Sequence, residues 1–151
     1  LWAIAEKWCR VITNGDGCGS NRSQHARMAD FRKLDVWQEA HALALAVCDV
    51  ADGFRGRDYL TLRSQTIRAA ASIDSNIVEG RGQRSDREFA RYLNIAVNSA
   101  NELESHFIMA RDRGVMSPSD YAALRERLVK TRKMLHGLIT KLTGKRTSAS
   151  R

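Results

Sequence analysis

The sequence predicts an all-α protein, an up-down-up-down antiparallel four-helix bundle. The 151 residues contain one proline, and they are rich in alanine, leucine, arginine and glutamate, which favour helices. Four segments carry apolar residues at alternating spacings of four and three, so that these residues share one face of a helix. Loops of about three to six residues separate the segments, and loops this short force neighbouring helices to run antiparallel.

The first helix is predicted from about Asp35 to Asp52. Its apolar stripe is expected to face the core, with Trp37 at its edge. Gly53 and Gly56 are expected to end the helix. The residues of the stripe are Val36, Ala40, Leu43, Val47, Val50 and Phe54.

The second helix is predicted from about Asp58 or Tyr59 to Glu79. One of its faces carries mostly small and apolar residues. Gly80 and Gly82 are expected to end the helix and reverse the chain, because glycine is common where a helix ends. The residues of that face are Leu62, Thr66, Ala69, Ile73 and Asn76.

The third helix is predicted from Asp86 to about Arg113. Ser85 and Glu88 have the spacing of a capping box, in which each side chain bonds to the backbone of the other residue. The helix would be about 40 Å long and would set the length of the bundle. Gly114 is expected to end it. Its stripe is Phe89, Leu93, Ala96, Ala100, Leu103, Phe107 and Ala110.

The fourth helix is predicted to start with Ser117 as N-cap and Pro118 in the first turn, since both residue types favour those positions. Gly144 is expected to end it. Its stripe is Tyr121, Leu124, Leu128, Thr131, Leu135, Leu138 and Leu142.

Residues 28–143 are therefore expected to form the bundle. Residues 1–27 are expected to be a flexible extension outside the fold, because Asn14 to Gln24 is rich in glycine and small polar residues. Met28 is a candidate initiator, and the alternative is a native extension with a short helix at Trp2 to Val11. Residues 144–151 are expected to be a basic disordered tail.

The sequence also resembles a known family. Its motifs are Phe31-x-x-Leu34-x-Val36-Trp37-x-x-Ala40, then Gln65, Arg68-Ala69-Ala70, Ser72-Ile73, Asn76-Ile77 and Glu79-Gly80, then Ile95-Ala96, Ser99-Ala100 and Glu102-Leu103-Glu104, and finally Met134-Leu135 and Leu138-Ile139. They are similar to those of the four-helix-bundle proteins encoded in intervening sequences of bacterial 23S ribosomal RNA genes. The similarity extends from Phe31 to about Leu142. It departs in the first loop, where Arg55-Gly56-Arg57-Asp58 replaces an expected proline and glutamate.

The resemblance implies a homopentameric barrel. The family is related to the accessory proteins of diversity-generating retroelements, which bind nucleic acid and a reverse transcriptase. Nucleic acid and a reverse transcriptase are therefore the partners that the resemblance suggests. It does not supply a mechanism.

No catalytic or cofactor site is predicted. A di-iron bundle needs two Glu-x-x-His motifs, and the sequence has none, although Glu102 and His106 lie four residues apart. Nucleophile–base motifs, a glycine-rich phosphate loop and H-E-x-x-H are also absent. We therefore expect a non-enzymatic protein without a metal or cofactor.

Cysteine usage and the lack of a targeting signal favour the cytoplasm. Cys9, Cys18 and Cys48 form no CxxC pair, and their odd number favours reduced thiols. Glu6, Lys7 and Arg10 interrupt the only apolar stretch near the start.

The net charge of +8 predicts a polyanionic partner. Residues 125–151 contain nine lysines or arginines and one acidic residue. Each basic residue taken alone is expected to be a solvated surface charge. Taken together, the basic residues predict contact with a nucleic-acid backbone and a simple role in solubility about equally. An acidic protein is the alternative partner. The candidate nucleic-acid-binding residues are Arg84, Arg87, Arg91, Arg125, Arg127, Lys130, Arg132, Lys133, Lys141, Lys145 and Arg146.

A second set of polar residues is expected to fix the register of the second and third helices rather than to bind a ligand. Reflecting the two helices about Gly82 places Asn76 near Glu88 and Gln65 near Ser99. It also places Arg63 near Asn101 and Glu102. Glu79 lies at the negative end of its helix dipole, and nearby arginines are expected to compensate its charge. The residues of this set are Arg63, Gln65, Asn76, Glu79, Glu88, Ser99 and Glu102.

Overall fold

The computed structural model describes residues 30–144, which form four α-helices and no strand. The helices are α1 (Asp35–Ala51), α2 (Leu60–Arg81), α3 (Asp86–Asp112) and α4 (Pro118–Gly144), with 3-10 turns at Phe31–Lys33 and Arg57–Tyr59. This confirms the all-α four-helix prediction. The expectations for residues 1–29 and for the tail after Gly144, including Lys145 and Arg146, lie outside the described residues.

Each helix packs against its neighbours in the chain, and α4 also packs against α1. The diagonal pairs, α1 with α3 and α2 with α4, have no Cα atoms within 8 Å of each other. Contacts between α2 and α3 run in opposite directions along the chain, because Gly80 meets Phe89 while the earlier Ser72 meets the later Ser99. The two helices are therefore antiparallel. The up-down-up-down order of all four helices stays a prediction.

The core largely follows the predicted stripes, with two shifts, while Leu62, Tyr121, Leu138 and Leu142 of those stripes are only partly buried. All seven predicted positions of α3 are buried, including the fully enclosed Leu103 and Phe107. On α1, Ala51 is buried and Val50 is only partly so, and on α2 Ile77 replaces the half-buried Asn76. Both shifts are one residue long, because the 3.6-residue turn of a straight helix drifts relative to a strict four-three pattern. None of the described helices has the length and apolar character that crossing a bilayer requires.

Gly80 lies inside α2 and does not end it, contrary to the prediction. The helix continues through Arg81 and ends with Gly82 as its C-cap, as predicted for that glycine, although the Gly82 backbone angles are ordinary helical ones (φ −75°). A Cβ atom on Gly80 would lie 2.7 Å from Cδ2 of Phe89 and 2.8 Å from Cβ of Tyr92. Glycine is therefore needed here because it allows α2 and α3 to approach closely.

The predicted helix starts are confirmed, with one change in detail. The Ser85 hydroxyl accepts a hydrogen bond from the Glu88 backbone N–H (3.2 Å) and donates one to the Glu88 carboxylate (3.3 Å). The carboxylate therefore meets the serine hydroxyl and not the predicted serine amide. Ser117 caps α4 in the same way, accepting from the backbone of Asp120 at 3.0 Å.

Candidate nucleic-acid interface

Three of the predicted basic residues lie at the start of α3. Arg84 is in the loop before the helix, and Arg87 and Arg91 lie one turn apart on it. All three side chains are exposed, and none forms an ion pair with a residue in 30–144. Their positive charges are therefore available to an external anion.

An open groove lies beside these arginines, between the first turns of α3 and the last turn of α4. Among the described residues that line it, Glu88 is the single acidic one. Two arginines against one carboxylate leave this lining with an excess of positive charge. The lining residues are Ser85, Arg87, Glu88, Ala90, Arg91, Asn94 and Thr143.

The basic residues on the side of α4 facing α3 pair with the acidic Glu104. Arg132 lies 2.7 Å from one carboxylate oxygen of Glu104 and donates to the Asn101 side chain at 3.0 Å. Arg125 lies 3.4 Å from the other oxygen. Arg132 is only 23% exposed, so its charge stabilises the contact between α3 and α4. Two of the candidate residues, Arg125 and Arg132, are therefore already engaged in ion pairs with Glu104 and are less available to a nucleic acid.

The other candidate residues of α4 include both paired and unpaired side chains. Lys130 lies 2.6 Å from the Glu39 carboxylate of α1, which is 15% exposed. Arg127, Lys133 and Lys141 are exposed and form no ion pair with another described residue. The structure therefore separates free basic residues from those that join two helices.

The predicted register of α2 and α3 is displaced by several residues. Ser99 lies opposite Ser72, with their hydroxyl oxygens 2.8 Å apart, and not opposite Gln65, which is exposed. Asn76 donates to the Ser72 carbonyl (2.7 Å) and hydroxyl (3.2 Å) on its own helix and does not reach Glu88. The loop begins only after Arg81 and ends at Ser85, so its midpoint lies beyond Gly82, which accounts for part of the displacement.

The other predicted ties also have different surroundings. Arg63 pairs with Asp52 at the end of α1, and not with Asn101 or Glu102 of α3. Glu102 is exposed, as is Glu79, which forms no ion pair with another described residue. Arg63 therefore joins α2 to α1.

A polar cluster between α1 and α2 was missed by the sequence analysis. His41 Nδ1 lies 3.3 Å from the Asp74 carboxylate, and the imidazole stacks on Trp37 with ring centroids 5.0 Å apart. Burial raises the pKa of Asp74, and His41 and the Trp37 indole partly offset this rise. The indole Nε1 of Trp37 and the carboxylate Oδ1 of Asp74 are both buried. Neither forms a hydrogen bond of good distance and angle with another described residue. Trp37 and His41 lie four residues apart, and residues at this spacing lie on the same edge of a helix. This spacing was the signal in the sequence that could have predicted the cluster.

The histidine, cysteine and acidic side chains do not form a metal-binding cluster within residues 30–144. Cys48 is a free, half-buried thiol. Burial raises the pKa of this thiol, and the nearby Asp52 and Asp49 raise it further. A raised pKa lowers the thiolate fraction at neutral pH and so makes the thiol less reactive.

Comparison with known proteins supports the fold and gives the family. A crystal structure of a protein of unknown function from the S23 ribosomal protein family of Bacteroides thetaiotaomicron VPI-5482 superposes with a TM-score of 0.65, at 22% identity, covering 70% of this chain and 95% of that one. No curated protein matches. The family model described as 23S rRNA-intervening sequence protein matches residues 32–137, from the turn before α1 into the second half of α4. The chain belongs to this 23S rRNA-intervening sequence protein family.

Proposed function

We propose that this protein is a non-enzymatic, self-associating, cytoplasmic accessory factor that binds RNA or DNA through its phosphates. The observation that carries the proposal is the set of exposed basic side chains with no acidic partner among the described residues. Among the candidate residues predicted from the sequence, these are Arg84, Arg87, Arg91, Arg127, Lys133 and Lys141.

Uncompensated surface charge favours phosphate binding for a simple reason. An arginine that already bonds a carboxylate, as Arg132 does with Glu104, must break that contact before it binds a phosphate. An exposed arginine without such a partner only exchanges water and counterions, whose release drives association with nucleic acid. The free basic residues therefore supply most of the binding.

Self-association is supported by large apolar side chains that the single chain leaves exposed. Ile95 at the edge of α3 is 39% exposed, as the sequence suggested, and Trp37 and Tyr92 are half-buried. The structure adds Leu45 of α1 (55%) and Met109 of α3 (51%). Exposed apolar surface of this kind favours contact between protein chains, and a ring of five is the form that we propose from the family resemblance.

A second candidate function is that of an adaptor for an acidic protein. A groove between α1 and α4 favours it, because its lining combines Tyr121, Ala122 and Val129 with four basic side chains and only two acidic ones among the described residues, Glu39 and Glu126. An acidic amphipathic segment would match both the apolar and the basic side chains. A reverse transcriptase is a further protein partner, suggested by the family resemblance alone.

A binding titration at two salt concentrations separates the two functions. Fluorescently labelled duplex RNA, duplex DNA and single-stranded RNA are titrated with the protein, and anisotropy is recorded. Phosphate binding to duplex DNA should weaken by about 0.9 log units per contact for each tenfold rise in salt. Absence of binding to all three at low salt would overturn the nucleic-acid function and favour the adaptor.

A further inference from the structure

We propose that the groove between the start of α3 and the end of α4 is a binding site for the sugar-phosphate backbone of double-stranded nucleic acid, with Arg87 and Arg91 as its contact pair. This inference rests on the proposed function and narrows it to one end of the bundle and to one class of nucleic acid.

The first supporting observation is that Arg87 and Arg91 lie on the same face of α3. Residues four apart on a helix lie on the same face, one turn and about 6 Å apart along the axis, so Arg87 and Arg91 extend side by side into the groove. Both are exposed, and neither forms an ion pair with an acidic residue in the described part of the chain. Two neighbouring cations at one edge can hold two phosphates of one strand.

Polar, uncharged groups beside the arginines complete a backbone-binding surface. Ser85, Asn94 and Thr143 line the same groove. Hydroxyl and amide side chains supply many of the contacts that proteins make with phosphate and sugar, and such contacts carry no sequence information. The groove therefore fits a nucleic-acid backbone of any sequence.

Charge distinguishes this end from the rest of the bundle. Along the middle of α4, Arg125 and Arg132 are paired with Glu104. At the opposite end, Arg111 pairs with Asp112 and Arg63 with Asp52. Arg55 and Arg57 at that opposite end also have no ion pair with another described residue. The groove differs because its two unpaired arginines lie one turn apart on one helix.

The lining of the groove favours a double strand. Proteins that bind single strands stack the bases on aromatic side chains, and the described side chains that line this groove include no aromatic one. Phe89 is buried, and Tyr92 is not among the described lining residues. A duplex has its bases already paired and stacked, so it does not need an aromatic surface to bind in this groove.

Two double variants with equal charge change test the inference. Arg87→Gln/Arg91→Gln removes the contact pair. Arg55→Gln/Arg57→Gln removes two exposed charges in the loop between α1 and α2, at the opposite end of the bundle, which form no ion pair with another described residue. Glutamine favours helices about as well as the residues it replaces, and circular dichroism checks that all proteins fold alike. Anisotropy is measured with a short RNA duplex, a DNA duplex of the same sequence and one strand alone, at two salt concentrations.

The first variant should weaken duplex binding by roughly tenfold or more and lower the DNA salt slope by about two, since each lost contact accounts for about 0.9. The second should change affinity by about twofold or less. Equal weakening by both variants, or a single strand binding as tightly as the duplex, would overturn the inference while leaving nucleic-acid binding intact. Absence of binding by the unaltered protein would overturn the proposed function as well.

Discussion

The Arg132 guanidinium lies 2.7 Å from the Glu104 carboxylate across the contact between α3 and α4. Both side chains are mostly enclosed, at 23% and 21% exposure, and Arg132 also donates to Asn101. The sequence analysis counted Arg132 as a surface charge for nucleic acid. Its position instead makes it part of the packing between two helices, so altering it tests stability before it tests binding.

Arg132→Glu should therefore destabilise the fold. The new carboxylate would face Glu104 in a partly enclosed site, at a cost of about 1–3 kcal/mol. Lys133→Glu, one residue away and exposed, is the control and should change the free energy of unfolding by less than about 0.5 kcal/mol. Urea unfolding measures both. Equal effects would show that the Arg132–Glu104 contact contributes nothing specific.

Gly80→Ala should destabilise the protein although alanine is the better helix former. The gain in helix propensity is about 1 kcal/mol, whereas the added methyl group would lie 2.7 Å from Phe89, and such overpacking costs about 1–3 kcal/mol. Gly137→Ala is the matched control, because Gly137 lies inside α4 with open space around it and should stabilise by about 0.5–1 kcal/mol. Thermal unfolding that shifts upward for both variants would disprove the close approach at Gly80.

Leu103→Ala and Leu135→Ala should each cost about 2–5 kcal/mol, because both side chains are fully buried and truncation leaves a cavity. Leu60, which is 56% exposed at the start of α2, provides the control, and Leu60→Ala should cost less than about 1 kcal/mol. The three variants are compared by their urea unfolding midpoints, with one common dependence of the unfolding free energy on urea concentration. A cost below about 1 kcal/mol at Leu103 would place it outside the core.

Asp74 should make stability depend on pH. Its pKa is raised above the ordinary 3.8, chiefly by burial, so the folded protein binds this proton more tightly than the unfolded chain does. Its contribution is therefore most favourable at low pH and declines as pH rises from near 3.8 through the raised pKa. Asp74→Asn mimics the protonated acid and should remove this decline, so its stability relative to the unaltered protein should rise between pH 3.5 and pH 7.

The matched control for Asp74 is Asp49→Asn, an exposed carboxylate of α1. Its stability difference from the unaltered protein should stay flat over the same pH range. Urea unfolding at three pH values gives both differences. A flat difference for Asp74→Asn would show that burial of this carboxylate has no energetic effect.

Self-association should depend on the exposed apolar residues. Light scattering should give a mass above that of the 17.0 kDa chain at micromolar concentration. Met109→Lys places a charge on the exposed face of α3 and should lower that mass, because a charge is costly to bury in an interface. Gln65→Lys, at an exposed polar position of α2 and away from this face of α3, controls for the added charge. A monomer mass for the unaltered protein would end the proposal.

The periodicity of the sequence determined most of the fold. The seven-residue stripe of α3 is buried as predicted, and the Ser85 and Ser117 caps form where predicted. These features are local: spacing along one helix and capping chemistry depend only on residues a few positions apart. They could therefore be inferred without knowing what each helix packs against.

The partner of each charged or polar side chain was decided by the tertiary structure. Sequence alone could not show that Arg132 meets Glu104, that His41 meets Asp74, or that Ser99 meets Ser72. Such pairs depend on the relative shift and rotation of two helices, and a loop longer by a few residues displaces every pair at once. Packing at Gly80, with Phe89 against its backbone, helps to set that shift between α2 and α3. The sequence thus determined which residues face inward, and the packing of helix against helix decided which charges remain free to bind a partner.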